Sequence, residues 1–350
     1  MNNTAPRGNE AVHGGDVYRN DVKLDFSVNL NPMPVPQAVT DAALAGLREM
    51  NQYPDPYQQK LKERIAAYEG VTADEIICGS GASELLMAVC HAFLPRKALV
   101  TAPCYAGYAR ALEASGAEVT EYMLNRQNGF ELDEGFIDAI TDDTDIVFIA
   151  DPNNPNGKLI RQDVKKKIAS VCDDKGIVLV TDECFLPLTS RGCAPDQIAG
   201  KTLHLRAFTK TFAIPGIRIG YMISRDTVML SEIAAHLPEW NVSRIAERTG
   251  EAAAAVLRET DYLAASVDMI GREREYLRKE LNSLGIRVFD SDTNYLLIKS
   301  WPDLYGRLLA RGVLVRRCAN FTGLDDTFFR IAVRAHEDNE QLIRILRELI

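Results

Sequence analysis

Between residues 60 and 225 the chain alternates two hydrophobic rhythms. ASELLMAVCHAFL (82–94) places apolar residues at every third or fourth position and predicts an amphipathic helix. RQDVKKKIASVCDDKG (161–176) does the same, with Val164, Ile168, Val171 and Cys172 on one face and Gly176 closing it. Between and beyond them lie short apolar runs that predict strands: KALVTAP (97–103), AEVTEYML (117–124), DIVFIA at the head of 145–157, GIVLVTDE (176–183), KTLHLRAF (201–208) and IRIGYMIS (217–224). Near-continuous apolar strands separated by helices indicate an α/β fold with a largely parallel sheet covered on both faces. In such sheets ligands bind where the C-terminal strand ends open into loops.

From about residue 245 the rhythm changes. One long Ala-, Glu-, Arg- and Leu-rich helix is expected over 244–285, then short strands in IRVFD, NYLLIK, GVLVRR and FFRIAVR, and a C-terminal helix. The expected organisation is an N-terminal segment (1–40) packing with a smaller α+β domain (244–350), and a large domain over 41–243. No internal repeat is visible.

Composition narrows the function. The chain has 350 residues, 46% of them hydrophobic, enough to bury a full core in two domains. A net charge of −9 argues against general binding to nucleic acid or acidic membranes, while leaving room for a local basic pocket. No apolar run approaches the ~18 residues of a membrane span. MNNTAPRGNEAVHGG lacks the blocks of a signal peptide, so a cytoplasmic location is expected. The seven cysteines (78, 90, 104, 172, 184, 193, 318) are scattered without metal-ligand spacing and read as reduced residues, mostly of the core.

The candidate chemistry centres on AFTKTFAIPGIRIGYMIS (207–224), where Lys210 stands among apolar neighbours before a Pro215-Gly216 turn. Apolar surroundings depress an amine's pKa and give the free base that attacks an aldehyde. That points to pyridoxal phosphate, which needs a carboxylate at its ring nitrogen, a phosphate cradle, a stacking ring and a donor to O3′. Asp182, ending GIVLVTDE, suits the ring nitrogen or caps a helix. Gly79 to Ser83, including Gly81 and Ala82, lead into a helix and suit a phosphate, or simply connect strand to helix. Arg218 could add a bidentate charge to the same phosphate. Tyr105 could stack or pack in the core; Asn154 could donate to O3′ or shape the PNNPNG turn.

Taken in order, NNPNG (153–157), DECF (182–185) and TKTFAIPGIRIGY (209–221) resemble the motifs of the fold-type-I pyridoxal-phosphate enzymes, in particular the histidinol-phosphate aminotransferase group, over essentially the whole chain. The resemblance implies that Lys210 binds the cofactor aldehyde and shuttles the proton, that Asp182 partners the ring nitrogen, that Tyr105 stacks, and that Asn154 serves O3′. It implies a phosphate cradle from Gly81, Ala82, Ser83, Thr209 and Arg218, and a homodimer in which Tyr53 reaches the neighbouring subunit's cofactor. The ends, HGGDVY with LDFSVNLNPMPVP and VLVRRCANFTGLDD, are similar to threonine-phosphate decarboxylases of cobalamin biosynthesis, as is Phe185 in place of Tyr. That similarity implies a small phosphorylated amino acid as substrate, decarboxylation as the reaction, and transamination as the alternative. Arg316 and Arg330, in stretches rich in apolar residues, need an anion partner. A structural salt bridge or a substrate would satisfy them; we assign Arg330 to the substrate carboxylate, and Arg316, His13 and Asn29 to its phosphate, with Asn154 nearby. Two positions depart from the motif: Ala207 stands where Ser is usual, and Asn156 where Thr is usual.

Overall fold

The apolar runs between residues 76 and 223 join into one sheet because alternate side chains of each are buried against different partners. The computed structural model describes residues 13–193 and 200–350. The stretch MNNTAPRGNEAVHGG therefore lies mostly outside the described residues, as does the start of the expected N-terminal segment. The chain begins with a short strand, β1 (Leu24–Asp25), followed by β2 (Ile76–Gly79), β3 (Lys97–Ala102), β4 (Glu118–Met123), β5 (Ile146–Ala150), β6 (Val178–Asp182), β7 (Leu203–Ala207) and β8 (Gly220–Ile223). Strands β2 to β8 form a seven-stranded sheet in the order β2-β8-β7-β6-β5-β3-β4. All neighbours run parallel except β8, which is antiparallel to both β7 and β2.

The central β5 is buried along its whole length, as expected for a strand covered on two faces. Phe148 and Val180 pack towards Leu85, Leu86 and Val89 of helix Ala82–Phe93. Val147, Ile149 and Leu179 face Val164, Ile168 and Cys172 of helix Gln162–Lys175, which ends at Gly176 in the left-handed region. Each such buried side chain contributes roughly 1.5–3 kcal/mol.

Beyond residue 244 a second, four-stranded antiparallel sheet has the order β12-β13-β10-β9, built from β9 (Arg287–Val288), β10 (Tyr295–Lys299), β12 (Arg316–Arg317) and β13 (Phe328–Ala332). It shares a core with helices Tyr262–Ser283 and His336–Leu349 through Leu277, Leu281, Leu342 and Leu346. Strand β11 (Val313–Leu314) pairs in parallel with β1, tying the N-terminal stretch to the C-terminal region.

The single helix expected over 244–285 is instead two, Arg244–Glu259 and Tyr262–Ser283. Thr260 breaks it. Its backbone is extended, its hydroxyl donates to the Val256 carbonyl at 2.8 Å, and the same oxygen accepts from the Tyr262 N–H at 3.3 Å. A β-branched residue with a hydroxyl, followed by Asp261, offers the backbone hydrogen bonds that compete with the helix. Among the described residues no helix is long and apolar enough to cross a membrane.

Candidate active site

The C-terminal ends of the parallel strands open into a cavity of about 270 Å³. Lys210 enters it from the one-turn helix Phe208–Thr211, directly after β7. Phe208 and Phe212, four residues apart, are buried together in the core and hold that turn, leaving Lys210 to face the cavity. The N-terminal stretch binds it from the other side. The Asn31 N–H donates to the Lys210 carbonyl at 3.0 Å, and Asn31 Nδ2 to the Thr211 carbonyl at 2.8 Å, satisfying groups the short helix leaves open. Lys210 Nζ lies 5.7 Å from the centre of the Phe185 ring. Burial, with Arg330 and Arg218 nearby, lowers its pKa to about 8, so about a tenth of the amine is free base at pH 7, far more than for an ordinary lysine.

Asp182 ends β6 with both carboxylate oxygens engaged. Oδ2 accepts from the Tyr108 hydroxyl at 2.6 Å, and Oδ1 from the Cys184 N–H at 3.0 Å. The second bond is a local turn contact rather than the helix cap that was the alternative expected for Asp182, and the first had no counterpart in the sequence. Tyr105 lines the same cavity, its ring edge-on to Tyr108 at 5.4 Å and 5.9 Å from the ring of His13.

The anion end is built by two close approaches. Gly81 has φ +79°, and a Cβ there would meet Arg218 Nη2 at 2.4 Å, so only glycine lets the loop lie against the guanidinium. Gly220 is equally constrained, since its Cβ would come within 2.8 Å of the Ala82 N. Arg218 itself is left-handed at φ 59°, a backbone cost of about 1–3 kcal/mol for a non-glycine residue. It is steadied by donation to the Pro215 carbonyl at 3.2 Å. Among the described residues no carboxylate pairs with Arg218. Helix Ala82–Phe93 begins beside it with no side chain capping its first turn. Ser83 and Thr209 complete the wall. The Ser80 N–H, by contrast, is taken by Glu84 at 2.7 Å, and Glu84 is held by Asn241 at 2.8 Å.

The opposite wall comes from the second sheet. Arg316 and Arg330 are directly paired across β12 and β13, and both line the cavity. Like charges opposed in this way disfavour the sheet unless an anion lies between them. Arg330 donates to Asn154 Oδ1 and to the Ser27 carbonyl, the latter at 3.1 Å. The Asn29 amide oxygen, turned towards it, accepts from Nε at 3.1 Å. With its oxygen so used, Asn154 keeps its N–H₂ donors for a ligand. Arg316 donates to the Arg317 carbonyl at 2.6 Å and to Asn320 at 2.8 Å. Burial, with Arg330 nearby, lowers its pKa to about 10. His13 faces this cluster, and burial together with Arg316, Arg110 and Arg330 lowers its pKa.

Thus His13, Asn29, Ala82, Ser83, Tyr105, Asn154, Asp182, Thr209, Lys210, Arg218, Arg316 and Arg330 converge on one cavity, with Gly81 against Arg218 behind it. Tyr53 does not join them; it is 80% exposed and packs at a tilt against Trp240, with ring centres 4.9 Å apart. Asn156 is wholly buried and braces its loop to the Phe130 carbonyl at 2.9 Å. Sequence reasoning missed Tyr108, which only its spacing of three from Tyr105 hints at, and Ser27, whose role is its carbonyl. The donor set fits pyridoxal phosphate: a carboxylate at one end, a carboxylate-free guanidinium with a glycine-cleared helix start at the other, and an amine of lowered pKa between.

Residues 21–349 match the family model for aminotransferase class I and II. The chain is 31% identical to a threonine-phosphate decarboxylase of Salmonella typhimurium, covering 97% of each. It is also 31% identical to a histidinol-phosphate aminotransferase of Methanothermobacter thermautotrophicus, over 96% of this chain and 91% of that one. The structure resembles that of the histidinol-phosphate aminotransferase from Clostridium acetobutylicum with a TM-score of 0.85 and 32% identity, covering 93% of this chain and 98% of the other. Over nearly its full length, the chain belongs to the aminotransferase class I and II family of pyridoxal-phosphate-dependent enzymes.

Proposed function

We propose that this enzyme decarboxylates L-threonine O-3-phosphate to (R)-1-amino-2-propanol O-phosphate, a step of adenosylcobalamin biosynthesis. The observation that carries the reading is the pairing of Arg316 with Arg330 across β12 and β13 at the cavity wall, with His13 beside them. A substrate with a carboxylate and a phosphate offers one anionic group to each of these two guanidinium groups. The similarity of both chain ends to the decarboxylases supports it further.

When bound, the cofactor draws electrons from the bonds at the substrate's Cα. This chain's residues do the rest. Arg330 would grip the substrate carboxylate, helped by Asn154, and so fix the orientation of the bond to be broken. Arg316, His13 and Asn29 hold the phosphate. Asp182 would serve the ring nitrogen and Tyr105 the ring, and Gly81, Ala82, Ser83, Thr209 and Arg218 would hold the cofactor phosphate. The carboxylate departs as carbon dioxide, and Lys210 delivers the proton that replaces it at Cα. We further read the enzyme as a cytoplasmic homodimer, each exposed Tyr53 reaching the partner's cofactor phosphate, with the cofactor carried by residues 41–243 and the arginines by 244–350.

The test is to supply threonine phosphate to the holoenzyme without any oxo acid. Carbon dioxide and the amine phosphate should form in equal amounts. Turnover only when 2-oxoglutarate is added, with histidinol phosphate the better substrate, would replace this reading with an aminotransferase, the activity named for the relatives of equal identity.

A further inference from the structure

We infer that Tyr108 is a positioning residue for the cofactor: its hydroxyl fixes the Asp182 carboxylate opposite the ring nitrogen and so sets how firmly the ring proton is held. Tyr108 lies in the first turn of helix Gly107–Ala114, three residues after Tyr105, so both rings overlook the end of β6. It is 1% exposed, with its ring stacked on Phe148 at 5.8 Å. Packing of that kind leaves the ring no freedom, and among the described residues the hydroxyl has one partner, Asp182 Oδ2 at 2.6 Å.

The division of the carboxylate is informative. One oxygen is held by Tyr108 and the other by the Cys184 N–H, and each oxygen keeps a lone pair for a further donor. The ionisable groups around Asp182 are Tyr105 and Tyr108 from the segment after β3, Cys184 from its own turn, Lys210 from the turn after β7, and Tyr295 from β10. Lys210 is committed to the cofactor. The tyrosines and Cys184 are neutral: burial, reinforced by Asp182, pushes the Tyr108 and Cys184 groups well above their ordinary values. Tyr108 therefore remains a proton donor across the working range. A hydrogen bond from a neutral donor favours a charged acceptor, so this bond keeps negative charge where the ring proton needs it.

The inference rests on reading Asp182 as the ring-nitrogen partner, and its test separates the two. The pH midpoint of the bound cofactor's absorbance change reports the charge on the ring, because a protonated ring makes the nitrogen joining it to Lys210 less basic. In Tyr108→Phe holoenzyme the midpoint should rise by about half a pH unit or more. The kcat should fall about tenfold, the scale of a hydrogen bond to a charged group, with KM within about twofold. Introducing 3-fluorotyrosine at 108, close to tyrosine in size but a stronger donor, should move the midpoint down. If Tyr108→Phe does not fold, the fluorotyrosine enzyme decides alone, and a midpoint equal to that of the parent overturns the inference. Asp182→Asn is measured alongside. A shift there with none in either Tyr108 variant defeats the role of Tyr108 only, whereas no shift in any of the three defeats the reading of Asp182 as well.

Discussion

Two lysines stand near the ends of neighbouring strands, and their surroundings push them in opposite directions. Lys165 places its ammonium 2.8 Å from both Asp151 and Glu183. Burial works against its charge, yet the two carboxylates hold its pKa above the ordinary value. Lys210 has no carboxylate within salt-bridge reach among the described residues, and burial with Arg330 brings it down to about 8. The contrast extends to their neighbours. Behind Lys165 lies a paired network: Arg191 reaches Asp151 at 2.9 Å, Arg206 reaches Glu183 at 2.7 Å and also Glu69, and His204 meets Glu183 at 2.9 Å. Around Lys210 stand Arg218 and Arg330, held by carbonyl and amide oxygens. Asp182 and Glu183 are adjacent in sequence, and strand alternation sends one to each side. One face of the sheet has spent its charges on itself, while the other keeps them for a ligand.

The largest expected effect comes from removing the chemistry without disturbing the network. Lys210→Ala should lower turnover by about 10³-fold or more and abolish the absorbance band of the lysine-bound cofactor, while urea denaturation stays near that of the parent apo-protein. Turnover that survived would break the comparison at its centre. Next come two matched arginines. Arg206→Met leaves Glu69 buried without its cation and takes one of Glu183's partners, and should cost about 3–5 kcal/mol in chemical denaturation. Arg330→Met removes a buried cation opposite another cation and should stay within about 1 kcal/mol of the parent. It should nevertheless raise the KM for threonine phosphate by about 10–100-fold. Equal destabilisation in the two variants would erase the distinction between the faces.

The smallest effect is one of pH. Only the neutral amine attacks an aldehyde, and its fraction grows as pH passes the amine's pKa. Recombination of the apo-protein with pyridoxal phosphate should therefore accelerate through pH 8 and level off above it, where an ordinary lysine would still be gaining towards about 10.4. Because Arg330 contributes to the lowering, Arg330→Met should move that rise to higher pH.

Much of this site was legible in the sequence because its residues sit at strand ends that hydrophobic periodicity marks. Lys210, Asp182, Tyr105, Asn154 and the Gly81 loop each follow a readable apolar run. What could not be read depends on contacts between distant segments. Tyr108 looks like one more apolar residue of an amphipathic helix until β6 delivers Asp182 to its hydroxyl. Ser27 acts through a carbonyl that every residue possesses. Glu183 and Arg206 were passed over because their partners, Glu69 and Lys165, lie on helices whose faces turn on packing. The break at Thr260 was hidden for a different reason, since a single hydroxyl competing for backbone groups does not interrupt a helical pattern of side chains.

The bond between Arg330 and the Ser27 carbonyl joins residues 303 positions apart, and β1 finds its register only on β11. The residues proposed to hold the cofactor, from Gly81 to Arg218, lie on or beside the ends of a sheet completed by residue 223. On the ribosome the two halves of the site are thus made in sequence. The segment proposed to receive the cofactor emerges well before the strands that tie down His13, Ser27 and Asn29. A growing chain can collapse around its cofactor end while its substrate end is still unbuilt, which makes substrate recognition the last property this protein acquires during synthesis.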